Sequence, residues 1–151
     1  MLDLRKTAVD PTLLETGVWW TVWATPSGQL AGKPVGDELD QEHADRPCIR
    51  IAPSGPALDR AIEQERDRIA VDPATIDDAQ AAVIMGRALA HACVRDWRNI
   101  GIDGTVVPFT VEEAARMLSM PELQSLREFV AVAANNRRAI LQKQEKADTG
   151  N

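Results

Sequence analysis

Residues 94–118, VRDWRNIGIDGTVVPFTVEEAARML, contain the most clearly marked loop of the chain. The residues that precede it have helical periodicity, which predicts a helix ending at Trp97. The pair Asp103 and Gly104 is typical of a tight turn, because glycine tolerates a positive φ and aspartate hydrogen-bonds to the nearby backbone. Thr110, with a glutamate three positions later, predicts the N-cap of a new helix. The stretch therefore predicts two helices joined by a short ordered elbow.

The segment after the turn, TVVPF, is too apolar for a free loop. We expect Val106, Val107 and Phe109 to pack near Trp97, while Pro108 fixes the chain just before the next helix. A phosphate-binding loop has several glycines at a helix start, usually with a lysine, and this pattern is absent. The sequence favours a structural elbow over a ligand-binding loop. Its residues are Trp97, Asp103, Gly104, Pro108, Phe109 and Thr110.

The spacing of apolar residues predicts the remaining helices. An amphipathic helix is predicted over residues 54–69, and a central helix over residues 75–97 with Thr75 as its cap. Alanines and larger apolar residues cover nearly the whole circumference of this central helix, which indicates packing on more than one side. A short helix follows at residues 110–120, and Pro121 opens the last one.

The front of the chain is rich in proline, glycine and tryptophan. Aromatic and β-branched residues at 17–24 predict a strand, and the alternation at 48–52 predicts a second one. We expect the two to pair as a hairpin across a long polar loop. The predicted fold class is mainly α, a small bundle of about four helices with an N-terminal β-hairpin. The predicted divisions are a Trp-rich hairpin region at 1–56, a helical domain at 57–146 and a disordered tail at 147–151.

Trp19, Trp20 and Trp23 are the candidate partner-binding residues. Side chains alternate between the two faces of a strand, so at least one indole points away from the face that its neighbour buries. An exposed aromatic patch is a common sign of a partner surface. The alternative is that a helix covers one face and the long loop covers the other, and the sequence does not decide between the two. Strand 18–23 is also a candidate open edge for a partner or a second copy.

The charge balance argues against a general nucleic-acid surface. The chain has 17 basic and 23 acidic residues and a net charge of -6, whereas phosphate binding needs clustered lysine and arginine. No apolar run approaches the roughly 20 residues that cross a bilayer, and the N-terminus lacks a signal peptide, so we expect no membrane partner. Cys48 and Cys93 are expected to be reduced, buried thiols, with a disulfide as the alternative.

No arrangement of residues points to catalysis. His91 and Cys93 are two positions apart on a predicted helix, on different sides, so they cannot chelate one metal ion. His43 lies beside acidic residues in the polar stretch, where solvated charge is the ordinary explanation. The sequence therefore predicts a protein that is not an enzyme, with no catalytic residue, no metal and no cofactor. An enzyme that uses Cys93 or His91 is the opposing hypothesis.

Residues 96–137, DWRNIGIDGTVVPFTVEEAARMLSMPELQSLREFVAVAANNR, resemble the tail assembly chaperones of long-tailed, siphovirus-type phages and related prophages. In that family a helix ends near a Trp, a short Asp-Gly loop follows, and Pro-Phe or Pro-Tyr with Ser or Thr opens a short helix ending in Leu. In that family a last helix closes with a Phe-rich, Lys-Asn-like end. The end of this chain departs from the pattern, since it lacks the aromatic residue and the terminal Lys-Asn. The resemblance covers about residues 75–146. The matching positions are Trp97, Asp103, Gly104, Pro108, Phe109, Thr110, Glu112 to Leu118 and Pro121.

The resemblance implies a small, mostly helical, non-catalytic protein of the host cell cytoplasm. Such a protein binds the phage tape-measure protein, keeps it soluble and helps recruit tail-tube subunits, without a cofactor and without binding nucleic acid or membrane. A homo-oligomer is an open possibility. The alternative function is a structural virion component, such as a head-tail connector or a tail-completion protein.

Overall fold

The structure is a computed structural model that describes residues 1–4, 11–69 and 72–136. Its strands are β1 (Val18–Ala24), β2 (Leu30–Gly36), β3 (Cys48–Ile51), β4 (Val94–Arg98), β5 (Gly101–Ile102) and β6 (Thr105–Val106). Its α-helices are α1 (Pro11–Thr16), α2 (Pro56–Ile69), α3 (Asp78–Ala92), α4 (Val111–Leu118) and α5 (Gln124–Ala134), with 3-10 turns at Pro73–Thr75 and Pro121–Leu123. The predicted tail and the predicted end of the last helix lie outside the described residues.

The mainly α fold class is wrong, because the chain is a mixed α/β protein. Four strands form an antiparallel sheet in the order β2-β1-β3-β4. The predicted pairing of the two N-terminal strands is confirmed, since β1 pairs with β3, but β1 also carries β2 on its other edge. The strand β2 lies in the stretch predicted as a polar loop. The strand β4 replaces the predicted end of the central helix, and it joins the sheet to the part of the chain predicted to be helical.

A β-bulge explains why β4 resembles a helix in sequence. Val94 and Trp97 are three positions apart, a spacing that places two side chains on one face of a helix but on opposite faces of a regular strand. The register between β3 and β4 shifts by one residue, so Ile51 faces Val94 and Ile49 faces Trp97. The bulge turns both β4 side chains towards the core, where Val94 is 2% and Trp97 is 4% exposed.

Helices α3, α4 and α5 cover one face of the sheet. Trp20 of β1 meets Phe129 of α5 edge-to-face, with ring centroids 5.9 Å apart. Burial of apolar side chains from both layers stabilises this arrangement. The core residues include Trp20, Val22, Ile49, Ile51, Leu89, Val94, Trp97, Leu118, Leu126 and Val130.

The loop between β2 and β3 lies against the opposite face of the sheet. The thiol of Cys48, which is fully buried, donates to the carbonyl of His43 at 3.5 Å. The side-chain amide of Asn99 donates to the carbonyls of Ala44 and Arg46 at 3.2 and 3.0 Å. The loop predicted as long and polar is therefore attached at two places, to Cys48 of β3 and to Asn99 just after β4.

Among the helix starts predicted from capping residues, the one at Thr110 is at the predicted position. The hydroxyl of Thr110 accepts from the amide of Glu113 at 3.0 Å, which confirms it as the cap of α4. The predicted cap Thr75 is wrong, because it lies in a 3-10 turn. Asp77 caps α3 instead: its carboxylate accepts from the amide of Gln80, whose side chain accepts from the Asp77 amide. The first of the two adjacent aspartates thus does the capping.

A nearly buried ion pair connects α2 to α3. The carboxylate of Glu65, a residue 8% exposed, accepts from Nε of Arg68 at 2.8 Å and from Nε of Arg87 at 2.9 Å. Burial on its own raises the pKa of Glu65, but the hydrogen bonds from Arg68 and Arg87 outweigh it, and the pKa lies below its ordinary value. The charged form of the carboxylate therefore stabilises the packing of the two helices.

Replacing Glu65 with glutamine is expected to lower the free energy of unfolding by about 1–3 kcal/mol at neutral pH. Because the pKa of Glu65 is lower in the folded state, its contribution is present above the unfolded pKa of about 4.3 and is lost as the pH falls through the folded pKa. Urea unfolding at a series of pH values should show parent and variant converging in acid. Glu63→Gln, on the exposed side of α2, is the control. A difference that does not change with pH would contradict this role.

Candidate partner-binding grooves

Trp97 joins the strand β4 to the elbow that follows it. Its indole Nε1 donates to the carbonyl of Val107 at 2.8 Å. The ring also meets Phe109 edge-to-face, with centroids 5.3 Å apart and planes at 80°. Val107 and Phe109 therefore lie against Trp97, whereas Val106 points outward and is 67% exposed. The elbow leads from a strand to a helix, not from one helix to another.

The elbow itself is a small hairpin formed by β5 and β6. Asp103 and Gly104 are its two turn residues, with φ angles of 52° and 79°. Two consecutive residues with positive φ characterise the type I′ turn, which matches the twist of a two-residue hairpin and favours Asp-Gly. Pro108 then leads to Thr110, the cap of α4. Residues 99–102 line a cavity together with residues at the start of α5.

A groove of about 360 Å³ lies between the elbow, the end of β1 and the start of α5. Volumes of about 300–1,000 Å³ are usual for binding pockets. Most of its lining is apolar, and Trp23 borders it. We call it the Trp23 groove. Its lining includes Val22, Trp23, Leu30, Ile49, Ile100, Ile102, Met117, Glu122, Leu123, Ser125 and Leu126.

A second groove of about 380 Å³ lies between β2 and the length of α5. Gly32 allows the close approach, because a Cβ on this glycine would lie 2.7 Å from the ring of Phe129. We call it the Phe129 groove. Its lining is Trp20, Gln29, Leu30, Ala31, Gly32, Ser125, Glu128, Phe129, Val132, Ala133 and Asn136.

The three candidate tryptophans of β1 have different surroundings. Trp20 is 6% exposed and packs under α5, while Trp19 is 3% exposed on the opposite face. The guanidinium groups of Arg50 and Arg98 lie 5.7 and 5.5 Å from the centroid of the Trp19 ring, which suits cation–π contacts. Trp23 is 48% exposed. Partner binding stays a prediction for all three, and Trp23 is the one whose side chain a partner reaches without displacing the sheet.

The predicted open edge at strand 18–23 is wrong, because β1 is flanked by β2 and β3. The edge strand on that side is β2, which offers few groups for pairing. The amide of Leu30 already donates to the hydroxyl of Ser125 at 2.6 Å, and Pro34 has no amide hydrogen. Proline on an edge strand is a common means of preventing edge-to-edge association.

The lining of the two grooves does not favour nucleophilic chemistry. Neither histidine nor cysteine is among their described lining residues. Both cysteines are free, fully buried thiols. Burial raises the pKa of Cys48, and it raises the pKa of Cys93 to about 11. A thiolate is the reactive form, so these thiols are poor nucleophiles near neutral pH. His91 is exposed in the last turn of α3.

Asp40, Glu42 and His43 bring possible metal-ligand atoms within 4.8 Å of one another. A local turn already uses this cluster. Asp40 accepts from the His43 amide at 3.0 Å and contacts its Nδ1 at 2.7 Å. The side-chain contact with His43 lowers the pKa of Asp40, mainly by hydrogen bonding to its charged form. These contacts between Asp40 and His43 stabilise the turn, so the closeness of the two side chains follows from the conformation of the loop.

Sequence reasoning missed most of the groove residues. Leu30 follows a Pro-Ser-Gly turn in a stretch dominated by polar residues, and Ile100 was assigned to the loop. The helical spacing of Leu123 and Leu126 predicts that both belong to the last helix; Leu126 is buried on α5, and Leu123 ends the 3-10 turn before it. An apolar residue directly after a tight turn is the signal that identifies Leu30 as the start of a strand.

Comparison with known families shows where the chain belongs. The family model described as YdaY prophage protein matches residues 54–151, which include the elbow and the helices that line both grooves. The chain belongs to the YdaY prophage protein family. It is therefore a phage-associated protein, as its resemblance to phage proteins implied. No curated protein and no solved structure shows significant similarity to it.

The YdaY match begins at residue 54, so the family region supplies α2 and all that follows, while β1, β2 and β3 precede it. Both grooves combine the two parts, because one wall comes from α5 and the other from β1 and β2. Within residues 1–4, 11–69 and 72–136, no helix has the length and apolar character needed to span a lipid bilayer.

Proposed function

We propose that this prophage protein is a tail assembly chaperone, which binds the phage tape-measure protein in the host cell cytoplasm and helps recruit tail-tube subunits. It acts by binding and release, without catalysis and without a cofactor. The observation that carries the proposal is the Trp23 groove. The groove is apolar, open to solvent and bordered by a half-exposed tryptophan.

Two further observations support this function. The YdaY family match establishes a prophage protein, and the elbow residues carry the resemblance to tail assembly chaperones. A tape-measure protein has long helices with apolar faces that must be kept from aggregating before the tail tube surrounds them. An apolar groove bordered by an aromatic residue is a common way to bind such a helix. Tryptophan also frequently contributes a large share of the energy of an interface.

Co-expression with a tape-measure fragment from the same prophage tests the proposal. The parent protein is expected to raise the soluble yield of the fragment and to co-purify with it. Trp23→Ala is expected to weaken the complex by about 30-fold, the equivalent of about 2 kcal/mol for the loss of a central aromatic contact. Leu14→Ala, which removes an exposed apolar side chain of α1 away from the grooves, is the matched control. Absence of a complex under gentle conditions would overturn the proposal.

The protein composition of purified phage particles distinguishes the chaperone function from the alternative, a structural virion component. Mass spectrometry of purified, induced phage particles is expected to detect the tape-measure and tube proteins and not this chain. Its presence at a stoichiometric level would instead assign it to a connector or a tail-completion protein.

A further inference from the structure

We propose that the Trp23 groove and the Phe129 groove together receive one amphipathic helix of the partner, whose apolar face is flanked by lysine and arginine side chains. This inference rests on the proposed function and specifies the chemistry of the partner segment. Three observations support it: the two grooves are adjacent, their described charged residues are acidic, and the neighbouring edge strand β2 has few free backbone amides.

The two grooves are adjacent, and we call them together the trough. Leu30 and Ser125 line both of them, and the hydrogen bond from the Leu30 amide to the Ser125 hydroxyl lies at their shared boundary. Helix α5 and the turn before it run lengthwise along the trough, since Leu123, Phe129 and Val132 line it in succession. The lining positions of α5 itself, from Ser125 to Ala133, extend over about 12 Å at 1.5 Å per residue, and Glu122 and Leu123 of the preceding turn lengthen the trough. This length suits a partner helix of about three turns.

Among the residues that the structure describes, the charged side chains of the lining have one sign. Glu122 is the charged residue of the Trp23 groove and Glu128 that of the Phe129 groove, and both are exposed. Arg127, their neighbour on α5, is directed elsewhere, because its Nη1 donates to the carbonyls of Leu118 and Met120. The chain as a whole has a net charge of -6. Electrostatic complementarity therefore favours a partner segment with cations beside its apolar anchors.

The sheet edge beside the trough favours a helix over an extended peptide. A peptide that adds a strand to β2 needs free backbone amides along that edge. The amide of Leu30 is already donated to Ser125, and Pro34 has none. A helix satisfies its own backbone groups and needs from the trough only apolar contact and charge at the rim.

Two fluorescein-labelled synthetic helices with identical leucine positions test the inference, one with lysine and the other with glutamate on the polar face. Fluorescence anisotropy at low salt is expected to show that the lysine peptide binds roughly 10-fold or more tightly than the glutamate peptide, with the difference decreasing at high salt. Trp23→Ala is expected to weaken binding of the lysine peptide. Circular dichroism of each variant verifies that it is folded.

The double variant Glu122→Gln with Glu128→Gln is expected to remove most of the preference for lysine. The double variant Glu38→Gln with Glu63→Gln changes the net charge equally at exposed positions outside the trough, and is expected to retain it. Equal binding of both peptides, or equal effects of both double variants, would overturn the inference. If a tape-measure fragment co-purifies with the Glu122→Gln, Glu128→Gln double variant as well as it does with the parent protein, only this inference is overturned. Selective binding of the lysine peptide without any tape-measure complex overturns the proposed function and leaves the trough assignment in place.

Discussion

Replacing Trp97 with alanine is expected to lower the free energy of unfolding by about 3–5 kcal/mol. The side chain is 4% exposed, and its indole fills the space between the sheet and the elbow. Its Nε1 hydrogen bond to Val107 and its ring contact with Phe109 hold the hairpin of β5 and β6 against β4. The variant loses both, and it leaves a cavity beside the Trp23 groove. Urea unfolding followed by far-UV circular dichroism measures the loss.

Two variants distinguish the contribution of the Trp97 hydrogen bond from that of burying the side chain. Trp97→Phe keeps an aromatic ring but leaves the carbonyl of Val107 without its donor, and an intermediate loss of about 1–3 kcal/mol is expected. Trp23→Ala removes the same side chain from a position that is 48% exposed, and it should cost clearly less than Trp97→Ala. If Trp97→Ala unfolds at the same urea concentration as the parent, the elbow is not held by this indole.

The elements that the sequence predicts correctly are those specified by neighbouring residues. Helix α4 follows its Thr110 cap, and the Asp103-Gly104 turn has the positive φ angles that its residues favour. The strands β1 and β3 follow from aromatic, β-branched and alternating residues. In each case a few adjacent side chains determine the backbone conformation without help from distant parts of the chain.

The strands β2 and β4, which the sequence does not predict, depend on tertiary contacts. The strand β4 owes its place to the bulge opposite β3, which makes a three-residue spacing compatible with a strand. The strand β2 contains two glycines and a proline, which disfavour a strand, yet it pairs with β1 along its whole length. Burial against β1 and α5 outweighs these unfavourable local preferences. Apart from the turn before Leu30, no pattern within either segment contains that information.

The candidate site was predicted only in part for a similar reason. The density of tryptophans in β1 identified the region, and the alternation of faces implied that their environments differ. Which indole stays exposed depends on the covering layers: α5 lies over Trp20, the two arginines flank Trp19, and Trp23 remains at the rim of the groove. The trough exists because β2 lies beside α5, and both the existence of β2 and its position beside α5 become known only from the structure.

The packing of α3 against α4 depends on a glycine inside a helix. A Cβ added to Gly86 would lie 2.4 Å from the carbonyl oxygen of Leu118, 2.6 Å from its carbonyl carbon and 2.8 Å from the amide of Ser119. All three are backbone atoms at the end of α4, so no side-chain rotation relieves the contact. Two opposing effects therefore act on Gly86→Ala. Alanine stabilises a helix interior by about 1 kcal/mol relative to glycine, while overpacking of a tight contact costs about 1–3 kcal/mol or more.

We expect the steric effect to dominate, and Gly86→Ala to lower the free energy of unfolding by about 2 kcal/mol or more. Because α4 must move away from α3, its buried residues Met117 and Leu118 lose contacts as well. Gly55→Ala is the control for steric effects, since no atom lies within 4 Å of its added Cβ and its φ is not positive. The Gly55 carbonyl accepts the first hydrogen bonds of α2, and alanine is less favourable than glycine at such a position, so a loss of about 1 kcal/mol or less is expected there. The measurement is the urea concentration at the unfolding midpoint of the parent and of each variant. If Gly86→Ala equals or exceeds the parent in stability, helix propensity outweighs packing at this position and the two helices do not approach as closely as the structure places them.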